Sequence, residues 1–189
     1  LNKGDFNFGM ACLGYVGLPL AARFELKEFD VIGFDIDKKR VEELSNNIDR
    51  NYDIELQSLK ILNQTSKLTA NPDNIKDSNV FIVTVPTPIN DDNTPDLRPI
   101  ISSSKLIGSI MMKNSIVIFE STVYPGVTDD ICTPVLEKES NFLLNKDFST
   151  GYSPERIVPG DKVNTIEKIK KVVSGSNLKA LKIISFIYS

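Results

Sequence analysis

The chain has 189 residues, of which 41% are hydrophobic and 25% charged, and its formal net charge is −3. These values are typical of one globular domain with enough apolar residues for a full core. The charges are interspersed and no apolar run approaches the roughly 18 residues of a spanning helix, so neither nucleic-acid binding nor membrane insertion is indicated. Histidine is absent and there are two cysteines. We therefore predict no metal site, no disulfide framework and a cytoplasmic protein.

The first predicted unit is a strand, a glycine-containing turn and a helix. The apolar run Phe8 to Ala11 precedes the turn Cys12-Leu13-Gly14-Tyr15-Val16-Gly17, and a helix is predicted from Leu18 to Glu28. A second strand, Asp30 to Asp35, places an acid eighteen residues after Gly17. This order is typical of a dinucleotide site, in which the turn and the helix N-terminus bind the pyrophosphate and the acid binds the ribose hydroxyls.

The glycine pattern of this turn is incomplete. The usual spacing is G-x-G-x-x-G, and Cys12 occupies the first glycine position, which normally lets the chain leave the strand in a tight turn. Gly14 and Gly17 occupy the other two positions, where glycine allows close approach to the phosphates and close packing of helix on strand. The turn by itself also fits a helix start without a ligand, and Asp35 favours the dinucleotide site.

The rest of the chain continues the alternation of helices and strands. A β-branched run, Val80 to Val85, is typical of a central parallel strand buried on both faces. In the helix from Val127 to Glu139, we expect Thr128 to act as the N-cap and Pro134 to cause a kink or a late start. The other predicted elements are helices over Lys39 to Ile48, around Leu56 to Leu62, from near Pro95-Asp96 to Met111 and around Leu178 to Tyr188, and strands at Leu68-Thr69, Ser115 to Glu120, Ser149 to Tyr152 and Lys171 to Val173. This order predicts an α/β fold of the Rossmann type, with a doubly wound, mostly parallel sheet.

Ligands of such sheets bind at the carboxyl ends of the strands. The residues at those ends are Cys12 to Gly17, Asp35, Val85-Pro86-Thr87, Glu120-Ser121-Thr122 and Tyr152-Ser153-Pro154-Glu155-Arg156. Hydroxyls, carboxylates and a guanidinium therefore collect at one edge. Thr87, Ser121 and Thr122 are equally typical of caps and turns, so each of them alone leaves a purely structural role open.

Several motifs together resemble the UDP-glucose/GDP-mannose dehydrogenase family. They are Leu13 to Ala21, Gly33 to Asp37, Val83 to Pro88, Pro95 to Leu97, Glu120 to Gly126 and Gly151 to Arg156. They occur in the family's order and spacing and cover nearly the whole chain. The form Tyr152 to Ile157, with Pro159-Gly160-Asp161 after it, is similar to the branch that acts on UDP-N-acetylhexosamines.

The resemblance implies an NAD-dependent oxidation of a sugar C6 alcohol to a carboxylate in two hydride transfers, for surface polysaccharide synthesis. Residues 1–189 would be the NAD-binding domain, without the family's central helix and UDP-binding domain. The full-length protein would be a homodimer that acts on a UDP-sugar. The family's nucleophilic cysteine, its catalytic lysine and a neighbouring asparagine would lie beyond residue 189, so the chain alone is expected to be inactive.

The resemblance also assigns roles to individual residues. Asp35 would bind the adenosine ribose, Arg40 would lie near the adenosine, Thr122 would contact the cofactor and place the catalytic water, and Glu155 would act in acid–base chemistry and hydrolysis. The remaining cofactor-binding residues would be Leu13, Gly14, Tyr15, Val16, Gly17, Val85, Pro86, Thr87 and Ser121. The chain departs from the family at Cys12, and at Val158 where this branch commonly has asparagine.

Two other functions remain open at this level. One is a β-hydroxyacid or 6-phosphogluconate-type dehydrogenase domain, against which the segment Glu120 to Gly126 argues. The other is a degenerate remnant of the fold that no longer binds NAD, which Cys12 and the apparent truncation favour. Binding of NAD distinguishes the remnant from a working domain.

Overall fold

The computed structural model describes residues 1–154 and 171–189, which form one α/β unit around a seven-stranded sheet. The strands are β1 (Asn7–Ala11), β2 (Asp30–Phe34), β3 (Lys67–Thr69), β4 (Val80–Val83), β5 (Ile116–Phe119), β6 (Ser149–Tyr152) and β7 (Ser174–Gly175). The helices are α1 (Gly17–Leu26), α2 (Lys38–Ser45), α3 (Leu56–Thr65), α4 (Arg98–Ile110), α5 (Thr133–Ser140) and α6 (Leu178–Ile187). Short 3₁₀ turns span Lys3–Asp5 and Pro72–Ile75, and a π-helical segment spans Val127–Cys132.

The strand order is β3-β2-β1-β4-β5-β6-β7. All neighbouring strands are parallel except β6 and β7, which pair antiparallel. The order reverses at β1, which pairs with β2 on one side and with β4 on the other. In open α/β sheets, such a reversal opens a crevice at the carboxyl ends of the two strands, and ligands bind there. The predicted doubly wound Rossmann-type sheet is confirmed.

Alternate residues of the central strands face two separate cores. On one face, Phe8 and Ile82 pack with side chains of α1, α2, α3 and α6. On the other face, Phe81 and Phe119 pack with side chains of α4 and α5. The central strands are therefore buried on both sides, which explains why their sequences are apolar runs without polar alternation.

The helix predicted over Val127 to Glu139 is wrong in its first half. Its residues before Thr133 form the π-helical segment, and α5 begins only at Thr133, with Pro134 in its first turn. Proline is tolerated there because the first N–H groups of a helix have no partner within the helix, so the predicted late start is confirmed. Thr128 is not the cap, because Cys132 is the residue that precedes α5 and no side chain caps it.

Other boundaries shift by a few residues. β2 ends at Phe34 and β4 ends at Val83, so Asp35 and Val85 lie just beyond their strands. The last strand is Ser174–Gly175 rather than Lys171 to Val173. Helix α2 is capped by Asp37, whose side chain accepts a hydrogen bond from the Lys39 N–H. Asp35 and the residues after Val83 therefore lie at the open edge of the sheet, beyond the ends of β2 and β4.

Candidate functional site

The turn between β1 and α1 (residues 12–17, the glycine turn) begins with a left-handed residue. Cys12 has φ +85°, a region that glycine enters freely and that costs other residues about 1–2 kcal/mol. Its N–H donates to the Phe34 carbonyl at 2.9 Å, and its own carbonyl accepts from the Thr84 hydroxyl at 2.9 Å. These two bonds, from neighbouring strand ends, help to hold Cys12 in the conformation that the first glycine of such turns usually supplies.

The two glycines of the turn are under different constraints. A Cβ at Gly17 would overlap the Cys12 carbonyl oxygen and would lie 2.5 Å from the Thr84 hydroxyl oxygen. Glycine is therefore required at position 17 by the protein itself. Among the described residues, a Cβ at Gly14 would meet only the Cys12 sulfur, at 3.8 Å. The folded chain leaves room for a side chain at position 14, so any requirement for glycine there must come from a ligand.

The predicted ribose-binding acid is attached directly to the glycine turn. One carboxylate oxygen of Asp35 accepts a hydrogen bond from the Leu13 N–H at 2.7 Å, and the other accepts from the Asp37 N–H at 2.9 Å. The side chain of Leu13 is fully buried, and Asp35 is only 8% exposed. The acid therefore lies beside the turn, at the edge where β1 and β2 end, as the sequence predicts.

Arg40 contacts the same turn one peptide group further along, at the carbonyl of Leu13. Its Nε–H donates to the Leu13 carbonyl at 3.1 Å, and its two terminal nitrogens donate to Asp49 at 2.7 Å and to Asp53 at 2.8 Å. The side chains of Arg40, Asp49 and Asp53 are 5%, 7% and 8% exposed. The structure thus places Arg40 at the predicted site but bonds each of its nitrogens to the protein, and its contact with adenosine stays a prediction.

The two aspartates respond differently to this environment. For Asp49, burial opposes ionisation, but the Arg40 hydrogen bond and the Ile54 and Asn51 N–H groups outweigh it, so its pKa lies below the ordinary value. For Asp53, burial dominates and the charge of Asp49 adds to it, so its pKa is raised. Neither carboxylate was singled out from the sequence, because Asp49 and Asp53 lie in a segment without periodicity.

A second part of the site is a small cavity at the ends of β4 and β5. Its volume is about 80 Å³, and it is lined by Tyr15, Val16, Thr84, Val85, Pro86, Thr87, Glu120, Ser121 and Thr122. The Ser121 hydroxyl donates to the Val85 carbonyl at 2.6 Å and so ties the two strand ends together. The Thr87 hydroxyl is buried without a hydrogen-bond partner in the part of the chain that the structure describes. A buried hydroxyl of this kind fits a site that is completed by a ligand.

A buried ion pair beside this cavity was missed by sequence reasoning. The Lys171 ammonium lies 2.5 Å from a carboxylate oxygen of Glu120, and their side chains are 8% and 0% exposed. The same ammonium lies 5.8 Å from the ring centre of Tyr188. Lys171 was predicted only as a strand residue, and nothing in the sequence links positions 120 and 171.

The predicted catalytic residues have different outcomes. Thr122 lines the small cavity with the predicted cofactor residues. Glu155 lies outside the described residues, and so does the rest of the motif after Pro154. A larger cavity, of about 630 Å³, begins at Val123, next to Thr122, and extends between the π-helical segment, β6 and β7.

Within residues 1–154 and 171–189, no group of three or more metal-binding side chains occurs, and no helix is long and apolar enough to cross a membrane.

A comparison with known protein families identifies the family of the chain. Residues 7–189 match the model of the NAD-binding domain of the UDP-glucose/GDP-mannose dehydrogenase family. The chain belongs to this family. NAD is therefore its cofactor.

Individual relatives agree with this assignment. The chain is 48% identical over 183 residues to the protein CapL of Staphylococcus aureus, covering 97% of this chain and 42% of CapL. It is 47% identical over 184 residues to a UDP-N-acetyl-D-glucosamine 6-dehydrogenase of Pseudomonas aeruginosa, covering 97% of this chain and 43% of that enzyme. A solved UDP-D-ManNAc dehydrogenase from Pyrococcus horikoshii superimposes with a TM-score of 0.84 at 28% identity, over 96% of this chain and 44% of the other. The chain thus spans less than half the length of these relatives.

Proposed function

We propose that the chain is the NAD-binding part of a nucleotide-sugar 6-dehydrogenase that oxidises the C6 alcohol of a UDP-N-acetylhexosamine to a uronate. The observation that carries the proposal is that the glycine turn, Asp35 and Thr122 lie along one edge of the sheet, starting at the strand-order reversal. The similarity to a UDP-N-acetyl-D-glucosamine 6-dehydrogenase at 47% identity supports the substrate class. The product would supply surface polysaccharide synthesis.

In this proposal, residues 12–17 and Asp35 bind the adenosine half of NAD. The N–H groups of Cys12 and Leu13 already donate to Phe34 and Asp35, so it is the N–H groups after Leu13 and at the α1 N-terminus that face the pyrophosphate, where the helix dipole favours negative charge. Each carboxylate oxygen of Asp35 accepts one hydrogen bond from the protein and can accept a second, from a ribose hydroxyl. Leu13, Gly14, Tyr15, Val16 and Gly17 contribute mainly through the backbone.

The small cavity serves the reacting half of the cofactor. Val85, Pro86, Thr87, Ser121 and Thr122 border it, and the buried Thr87 hydroxyl gains a partner when the ligand is present. When bound, NAD accepts hydride from the substrate. Thr122, which lines the small cavity and directly precedes the first lining residue of the larger one, would hold a water molecule by its hydroxyl.

Glu155 completes the proposed acid–base chemistry. With no histidine in the chain, a carboxylate can carry a proton near neutral pH only if its surroundings in the complete site raise its pKa. The UDP-sugar, the homodimeric state of the full-length protein and a cytoplasmic location belong to the same proposal. The 189-residue chain alone would bind NAD without sustained turnover.

A chimera tests the proposal. This chain replaces the matching segment of the Pseudomonas aeruginosa enzyme, and NADH formation is followed with UDP-N-acetylglucosamine, UDP-N-acetylgalactosamine, UDP-glucose and GDP-mannose. We expect oxidation of the N-acetylated UDP-sugars and its loss in Thr122→Ala. Serine at position 122 is the matched control, because Thr122→Ser keeps the hydroxyl. A folded, NAD-binding chimera that oxidised none of these would contradict the proposal.

A further inference from the structure

The backbone of Leu13 is held at its N–H and at its carbonyl by side chains of the β2–α2 region. Its N–H donates to Asp35 at 2.7 Å, and its carbonyl accepts from the Arg40 Nε–H at 3.1 Å. Leu13 directly follows Cys12, the residue in the left-handed conformation at φ +85°. The Asp35 bond therefore acts on the Cys12–Leu13 peptide group, next to the strained residue, and the Arg40 bond acts on the following Leu13–Gly14 peptide group.

Arg40 is itself fixed by two buried carboxylates. Asp49 and Asp53 accept hydrogen bonds from its two terminal nitrogens at 2.7 and 2.8 Å. The Asp49 carboxylate is in turn held by the Ile54 and Asn51 N–H groups at 3.0 and 3.2 Å. A buried guanidinium in this arrangement has little freedom to turn toward a ligand.

We propose that Arg40, held by Asp49 and Asp53, is a positioning residue that keeps the glycine turn in its binding conformation despite Cys12. The inference rests on the proposed place of NAD at this turn. Without the Arg40 bond, the Leu13–Gly14 peptide group can rotate, and the bonds from Phe34, Thr84 and Asp35 are left to oppose the strain at Cys12, where L-residues favour negative φ. The apparent affinity for NAD then falls in proportion to the fraction of molecules whose turn keeps its binding conformation.

The effects of Arg40 and of residue 12 on NAD affinity should depend on each other, because both act through the backbone of Leu13. Glycine populates positive and negative φ about equally, so with glycine at position 12 the turn needs less support. Loss of the Arg40 bond should then cost at most about a factor of two to three in affinity, against about tenfold with Cys12. A residue that contacts NAD directly would lose the same factor in both backgrounds.

Arg40→Lys is the variant that isolates the bond, because it keeps a positive charge between the two carboxylates and removes the Nε–H. Arg50→Lys is its control, since Arg50 is more exposed and pairs with Asp37 at 3.0 Å and Glu43 at 2.6 Å, away from the turn. Without NAD, we expect amide hydrogen exchange at residues 13–17 to rise about tenfold in Arg40→Lys and to stay unchanged in Arg50→Lys. With NAD, calorimetric titration should show the coupling between Arg40→Lys and Cys12→Gly.

Each outcome decides the inference. Unchanged exchange in the turn would overturn it, and so would an equal loss of NAD affinity in both backgrounds. Should Arg40→Lys fail to fold, Asp53→Asn removes one anchor of the guanidinium and should show the same effects in weaker form. If the unsubstituted chain bound no NAD, the proposed site would fail, while the exchange measurement would still decide whether Arg40 holds the turn.

Discussion

The carbonyl oxygen of Cys12 lies where a Cβ of residue 17 would have to be placed, so the start of α1 packs directly on the turn through Gly17. The Thr84 hydroxyl, just beyond the end of β4, closes the same space by donating to that carbonyl at 2.9 Å. The glycine turn, α1 and the end of β4 are therefore held together at one point. A change in any of them should move the other two.

The first prediction concerns this contact. Gly17→Ala should lower the free energy of unfolding by about 1–3 kcal/mol, because the backbone must move to relieve the overlap. Gly4→Ala is the matched control, since a Cβ there would meet no atom within 4 Å in residues 1–154 and 171–189. Urea unfolding of the two variants measures the difference. Equal stabilities would show that the turn is not packed as described.

The second prediction concerns the thiol of Cys12. Burial, with a further contribution from the Asp35 charge, raises the pKa of this thiol from 9.0 to about 11. The unfolded chain then loses its thiol proton first as the pH rises, so the stability that comes from the neutral thiol is present below pH 9 and lost between pH 9 and 11.

The measurement compares the chain with Cys12→Ala at pH 8 and at pH 10.5. We expect the unsubstituted chain to lose more stability over this interval than the variant, by up to about 2 kcal/mol. Subtracting the variant removes the contribution of lysines and tyrosines that titrate in the same range. Cys132→Ala should show a similar difference, because burial also raises its pKa to about 11. Identical pH dependence of the chain and Cys12→Ala would contradict the account.

Much of the fold was predictable because the central strands are distinctive. Val80 to Val83 and Ile116 to Phe119 are β-branched or aromatic throughout, as strands covered on both faces must be. The late start of α5 was predictable from Pro134. The π-helical segment was not, because the acidic residues Asp129 and Asp130 after Gly126 are also what an ordinary helix start contains.

The site was predictable only where motifs carry it. Asp35 and Thr122 follow strands at recognisable positions, and the structure places both at the open edge of the sheet. Asp53 and Lys171 could not be found this way, because each acquires its role from a partner distant in sequence, Arg40 and Glu120 respectively. Long-range ion pairs leave no periodic signal in a single sequence.

The third prediction concerns the choice between NAD and NADP. A 2′-phosphate would meet the negative charge of Asp35, and the nearby guanidinium of Arg40 is already bonded to two aspartates. We expect NAD to bind at least about tenfold more tightly than NADP, since a repulsion of about 1.4 kcal/mol suffices for that ratio. Asp35→Asn should lower the ratio of NAD affinity to NADP affinity, because it removes the negative charge and keeps an oxygen for the Leu13 N–H.

Asp37→Asn is the control for this comparison, since its side chain is 51% exposed and lies two residues away. Calorimetric titration of both variants with both cofactors gives the ratios. A preference for NADP in the unsubstituted chain, or an unchanged ratio in Asp35→Asn, would remove Asp35 from the ribose site.

The most direct test of the proposed cofactor site is the NAD affinity of Gly14→Ala. The folded chain has room for this methyl group, whose nearest neighbour would be the Cys12 sulfur at 3.8 Å, so stability should change by less than about 1 kcal/mol. A pyrophosphate bound against the turn would have to approach the backbone at Gly14, and the added Cβ should then weaken NAD binding by about tenfold or more. Calorimetric titration with NAD, beside the unsubstituted chain and Gly4→Ala, is the measurement. Weakened binding in Gly14→Ala alone, with the fold intact, is the result we predict, and unchanged NAD affinity in that folded variant would contradict the placement of the cofactor on this turn.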